Sequence, residues 1–189
     1  LEAADAMTMI HEHAAEWHVD PDAIAVIGFS AGGHLAANLA TSTSDDVLVA
    51  HGYDPDAVRP NGLMLAYPVI TSGPLAHRGS FDSLLGERRN DSQALESVSI
   101  ERHIDAKTPP VFVWHTVPDE TVPYENTLML IDACKKAGVS IEAHLFPQGG
   151  HGLSLGTAET AWQGVNGIEP SIQIWPQLAV SWMRRTFAR

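Results

Sequence analysis

The sequence predicts a single α/β domain over residues 1–189, a mostly parallel sheet with helices on both faces. Three observations carry this expectation. Short apolar runs at Ile24–Gly28, Gly62–Tyr67 and Val111–Trp114 show no polar alternation, as expected of strands buried on both faces of a parallel sheet. Helical patterns separate the runs, and strand–helix alternation brings successive strands into one sheet by right-handed crossovers. Length fits too: 189 residues suit one domain that buries roughly 70% of its unfolded surface.

The elements follow in order. Ala3, Met7, Ile10, Ala14 and Trp17 recur at steps of four and three, so they line one face of an opening helix. No capping residue or entry loop precedes that helix, so the sequence reads as cut from a longer one. Asp20-Pro21 marks a turn, the strand Ile24–Gly28 follows, and an alanine-rich helix is expected from Ala31 to Ala40. After the second strand, residues from about 69 to 109 are polar and broken, with helical pieces at Phe81–Leu85 and Ala94–Val98; this stretch reads as a lid-like insertion. Pro109-Pro110 fix the entry of the third strand. A helix at Glu125–Ala137 sets Leu128, Ile131 and Cys134 on one side and stops at Gly138. Ile141–Leu145 alternates, as an outer strand with one wet face should. A last helix spans Ile172–Phe187, with Pro176 in its first turns or kinking it.

Composition narrows the function classes. The formal charge of −12 opposes nucleic-acid binding, because phosphates would be repelled. No apolar run approaches the roughly 20 residues that span a bilayer, so no membrane partner is expected. LEAADAMTMI lacks a basic start and an extended apolar stretch, which makes the cytoplasm the expected compartment; a signal peptide stays open because the true start reads as absent. Cys134 is the only cysteine, which rules out an internal disulfide and suggests a buried small apolar side chain. No Walker loop, dinucleotide glycine loop, HExxH or paired CxxC occurs, so neither cofactor nor metal is expected. His11 and His13 stand two apart on a helix and face different ways, a poor metal pair.

The chemistry centres on Gly28-Phe29-Ser30-Ala31-Gly32, a G-x-S-x-G between an expected strand and an expected helix. That context places a serine on a tight turn with its hydroxyl projecting from the sheet end. The following helix aims its N-terminal N–H groups at the same spot, where negative charge develops in acyl transfer. Ala31 N–H is the natural oxyanion donor, and Phe29 and Gly32 flank the substrate side. A serine nucleophile needs a base, and the base needs an orienting acid. His151, in Phe146-Pro147-Gln148-Gly149-Gly150-His151-Gly152, follows the last expected strand, where glycines let the backbone approach. Asp119 follows the strand ending at Trp114-His115 and precedes His151, giving the order Ser, Asp, His. Glu120 is the rival acid, while Asp132 lies on a helix and is expected to be solvated. His18 reads as a helix-end residue, His34 as a packing or hydrogen-bonding neighbour of the turn, and His115 as a support for the acid loop.

Taken together, Gly28-Phe29-Ser30-Ala31-Gly32-Gly33-His34, His115-Thr116-Val117-Pro118-Asp119 with Val122-Pro123, and Gly149-Gly150-His151-Gly152 resemble the esterase/lipase branch of the α/β-hydrolases. The likeness is greatest to small bacterial acetyl-xylan-esterase-like or carbohydrate acetylesterase-like enzymes, and it extends through Leu84-Leu85-Gly86 and Pro109-Pro110-Val111-Phe112. The resemblance implies the C-terminal portion of an α/β-hydrolase sheet, with Ser30, Asp119 and His151 as the triad. It further implies a serine carboxylesterase acting on short-acyl esters, acetyl esters of carbohydrates among them, with a small-molecule ester as partner and a homo-oligomer left open. It also implies about a hundred preceding residues, with four more strands and a His-Gly-Gly type loop carrying a second oxyanion donor. Without them the strand Ile24–Gly28 would present an apolar edge. Two alternatives stand beside this expectation: a prolyl-oligopeptidase-type serine peptidase, and a non-catalytic fragment or assembly partner.

Overall fold

The computed structural model describes residues 1–162 and 166–188. Four parallel strands form one sheet in chain order: β1 (Ala25–Phe29), β2 (Gly62–Ala66), β3 (Val111–Thr116) and β4 (Ile141–Phe146). Helix α1 (Glu2–Glu12) precedes β1. Helices α2 (Ala31–Ala40), α3 (Asp45–Ala50) and α4 (Pro55–Val58) link β1 to β2. Helices α5 (Arg78–Leu85) and α6 (Ser92–Ser97) link β2 to β3, α7 (Glu125–Ala137) links β3 to β4, and α8 (Trp175–Thr186) closes the chain.

Alternation along the strands sorts the core into two layers. Leu63, Leu65, Val111 and Val113 point to one face, where Ala36, Ala37 and Ala40 of α2 and Leu130 and Cys134 of α7 cover them. Met64, Ala66, Phe112 and Trp114 point to the other, against Trp175, Ala179 and Trp182 of α8. Helices therefore flank both faces, as expected of the α/β class. Cys134 is wholly buried, and its desolvation pushes the thiol pKa up to about 12. No described helix is long and apolar enough to cross a membrane.

Several expectations change on contact with the structure. The first strand is not buried on both faces, since Ile27 is 40% exposed; β1 lies at the edge of the described sheet, the apolar edge expected of these residues. The opening helix ends at Glu12. Trp17 leaves the apolar face and stacks on His13 at 4.9 Å, while His18 takes a left-handed φ of 56° as the chain turns. Helices α3 and α4 were not legible, since pieces of six and four residues are too short for a period to register. Pro176 sits in the first turn of α8, where its missing N–H costs nothing.

Residues 69–109 are polar in sequence but rooted in the core, since Val69, Ile70 and Ile100 are fully buried. Buried Asn126 of α7 holds the start of this stretch. Its Oδ1 accepts the N–H groups of Ile70 (2.9 Å) and Thr71 (3.1 Å), and its Nδ2 donates to Leu75 O (3.0 Å) and Pro123 O (2.9 Å). One amide thus satisfies backbone groups that have left the sheet ladder.

Candidate active site

Ser30 occupies the turn between β1 and α2 with φ 53° and ψ −121°, a region that side-chain-bearing residues rarely adopt. The turn closes only because Gly28 has no side chain: a Cβ there would lie 2.3 Å from Gly32 O. The backbone is fixed on both sides. Ser30 N–H donates to Ala66 O of β2 (3.0 Å), and Ser30 O accepts from Gly33 N (3.0 Å) and Val69 N (3.2 Å). Ala31 and Gly32, both exposed, begin α2, where backbone N–H groups have no carbonyl one turn earlier in the helix. Phe29 is half-buried, its ring packed edge-on to Trp175 at 6.0 Å and tilted against Tyr67 at the same separation.

Asp119 lies in the loop after β3, 5% exposed. Its Oδ1 accepts the N–H groups of Thr121 and Val122, each at 2.9 Å, which coils the loop around the carboxylate. Its Oδ2 receives His151 Nδ1 at 2.7 Å. Burial alone would raise the carboxyl pKa, but donation from His115, His151 and Val122 outweighs it and holds the group well below the usual carboxylate range. Fully buried His115 underlies this loop. Its Nε2–H points at Val122 O (2.9 Å) and lies 3.3 Å from Asp119 Oδ2, a longer secondary approach, while Nδ1 pairs with Thr127 Oγ1 at 2.8 Å. Glu120, the rival acid, is exposed, and it is Asp119 that meets the imidazole. Exposed Asp132 pairs with Lys136 at 2.6 Å on the surface of α7.

His151 stands on the loop after β4. Gly149, at φ 98°, makes the approach possible, since a Cβ there would meet Leu153 at 2.5 Å and Thr116 at 3.3 Å. Thr116 Oγ1 donates to Gly150 O (3.0 Å), tying the loop to the end of β3. The tautomer follows from the partners. A carboxylate can only accept, so Nδ1 carries the proton, and Nε2 is left to accept from the Ser30 hydroxyl at 2.7 Å. Ser30, His151 and Asp119 form one continuous hydrogen-bonded line, brought together from three loops at the C-terminal ends of β1, β4 and β3.

His34 is buried beside the turn. It reaches Val98 O at 2.8 Å and meets the Phe81 ring edge-on at 5.4 Å, so it joins α2 to the 69–109 stretch. A groove of about 230 Å³ runs from Ala31 along Leu35 and Asn38 of α2, walled by Ser80, Phe81 and Leu84 of α5. The sequence did not single out Tyr67, just past β2, although the structure packs its ring on His151 at 4.9 Å. An aromatic at the C-terminal end of a buried strand was the available signal. Among the described residues, no group of three or more His, Cys, Asp or Glu side chains is placed to hold a metal ion.

A parallel sheet flanked by helices, with a strand–serine–helix turn at its C-terminal edge, is the architecture of the α/β-hydrolases. Within that class the chain belongs to the BD-FAE family, whose profile matches residues 2–133. It is 34% identical over 161 residues to endo-1,4-beta-xylanase B of Butyrivibrio fibrisolvens, covering 84% of this chain and 25% of that protein. It is 29% identical over 153 residues to an acetylxylan esterase of Xylanibacter ruminicola, covering 79% of this chain and 30% of that protein. Among solved structures it resembles an acetyl ester-xyloside bifunctional hydrolase of Caldicellulosiruptor lactoaceticus, with TM-score 0.79 and 36% identity, over 97% of this chain and 64% of that one. The chain thus spans a quarter to a third of these curated relatives and just under two thirds of the solved chain. The family is one of esterases and acetylxylan esterases.

Proposed function

We propose that this chain carries the ester-cleaving site of a serine esterase that acts on short-acyl esters, with acetylated xylan-type carbohydrate as the substrate class. The observation that supports it most is the unbroken Ser30–His151–Asp119 line beside the N-terminus of α2. His151 Nε2 takes the Ser30 proton as Oγ attacks the ester carbonyl carbon. The Ala31 N–H, aimed by the helix start, stabilises the oxyanion. The carbonyl re-forms, the alkoxide leaves with the proton held on His151, and an acetyl-serine remains. Water then attacks that acyl group, with His151 again as base, and releases acetate. Asp119 keeps the imidazole in the Nδ1–H tautomer and favours its charged form at both steps.

Acyl transfer suits this site better than cleavage of a glycosidic bond, which employs two carboxyl groups about 5–9.5 Å apart. Asp119 is already committed to His151 and to two backbone N–H groups. The acetyl preference rests on the family and on the named activities of the acetylxylan esterase and the acetyl ester-xyloside hydrolase. The intact protein should release acetate from acetylated xylan and hydrolyse p-nitrophenyl acetate, and Ser30→Ala should bring both to the buffer rate. Fluorophosphonate should label Ser30. Full turnover by Ser30→Ala, or labelling elsewhere, would refute the assignment.

A further inference from the structure

Among the described residues, four non-glycine residues adopt a positive φ: His18, Ser30, Tyr67 and Ser154. His18 lies in the turn after α1, but the other three belong to one assembly. Tyr67 (φ 38°) follows β2, and its N–H extends the ladder to Trp114 O at 2.8 Å. Tyr67 is 3% exposed, its ring edge-on to both Trp114 (5.0 Å) and His151 (4.9 Å). Its hydroxyl oxygen accepts the N–H of Ser154 (φ 52°) at 3.1 Å, three residues beyond His151, and Ser154 O in turn accepts from Trp175 Nε1 at 2.8 Å. The next residues grip the serine turn: Val69 N–H donates to Ser30 O, and Pro68 lies where a Cβ on Gly33 would fall, 2.9 Å away. Tyr67-Pro68-Val69 therefore touches the nucleophile's backbone at one end and the base's loop at the other.

Strained backbone persists only where its surroundings over-determine it, and here the strain joins two groups that must meet within a hydrogen bond. We propose that Tyr67 is a positioning residue for His151, its ring setting the imidazole plane and its hydroxyl fixing the loop at Ser154, so that Nε2 is held in register with Ser30 Oγ. This rests on the esterase mechanism above.

The test compares Tyr67→Phe, which keeps the ring and loses the loop bond, with Tyr67→Leu, which loses both, in the intact protein on p-nitrophenyl acetate. Rates are taken per fluorophosphonate-titrated site, so partial misfolding is divided out. Tyr67→Leu should lose about 10–100-fold in kcat with KM within about threefold, the split expected when the base is misplaced and substrate binding is not. Tyr67→Phe should lose about three- to tenfold in kcat, again with KM within about threefold. If Tyr67→Leu yields no soluble protein, Tyr67→Phe decides: full kcat per titrated site overturns the proposal. Unchanged kcat in both variants, with only a lowered Tm, also overturns it and leaves a packing role. An inert Ser30→Ala with a normal Tyr67→Leu sinks only the assignment of Tyr67; a fully active Ser30→Ala removes the mechanism beneath it.

Discussion

Strands β1 and β3 read alike in sequence, each an apolar run that launches a residue of the site, yet the fold treats them differently. All six residues of β3 are buried between neighbours on both sides. Among the described residues β1 has one neighbouring strand, and Ile27 on its α8 side is 40% exposed. The serine that β1 delivers is held instead by its turn, through Gly28, the bond to Ala66 O and the contact with Val69. The acid delivered by β3 is held by burial, by its loop N–H groups and by His115 beneath. One residue is placed by local backbone geometry, the other by the interior.

The largest expected effect sharpens that contrast at the site. Asp119→Asn should lower kcat about 10³–10⁴-fold on p-nitrophenyl acetate, because an amide that donates to Nδ1 imposes the wrong tautomer. Glu120→Gln, one residue on but exposed, should leave kcat within about twofold; a comparable loss there would overturn the placement of the acid. Next comes packing. Phe112→Ala in β3 should cost about 3–5 kcal/mol in denaturant unfolding, whereas Ile27→Ala in β1 should cost roughly 1 kcal/mol. Equal costs would break the comparison, and would mean that the edge of β1 is covered in the intact protein.

The smallest effect is on pH dependence. Burial lowers the His34 pKa below its ordinary 6.5, against smaller opposing contributions from Val98 O and Glu101. The unfolded chain therefore takes up that proton first. Its contribution to stability is complete above pH 6.5 and is lost as the pH falls through the folded value. Asp119 adds a second loss below its ordinary 3.8, since its folded pKa is depressed. Tm should decline on acidification from pH 7, and His34→Gln should flatten the upper part of that decline while leaving the part below pH 4. An unchanged slope in His34→Gln would show that His34 is not the group that takes up the proton.

Much of this was legible because it is local. Each strand sits within two residues of its apolar run, Gly138 ends α7 in the left-handed region at φ 75°, and the glycines around Ser30 and His151 announce tight backbone. Trp17 misled because its spacing continues the helical period after the backbone has turned away at Glu12. The contacts of Asn126 and Tyr67 were not legible, because their partners lie 51–56 and 84–87 residues away, beyond any periodicity; for Tyr67 only its place at a strand end pointed to the site.

By itself, then, the sequence determined the class of fold, the strand–serine–helix turn and the order of serine, acid and histidine, since each is written in short-range pattern and backbone permission. Only the tertiary structure decided that Ile27 of β1 is left exposed, that Asp119 rather than Glu120 meets the imidazole, and that Tyr67 joins the serine turn to the histidine loop. The physical reason is that burial, and the choice of which side chains meet, depend on what packs from elsewhere in the chain.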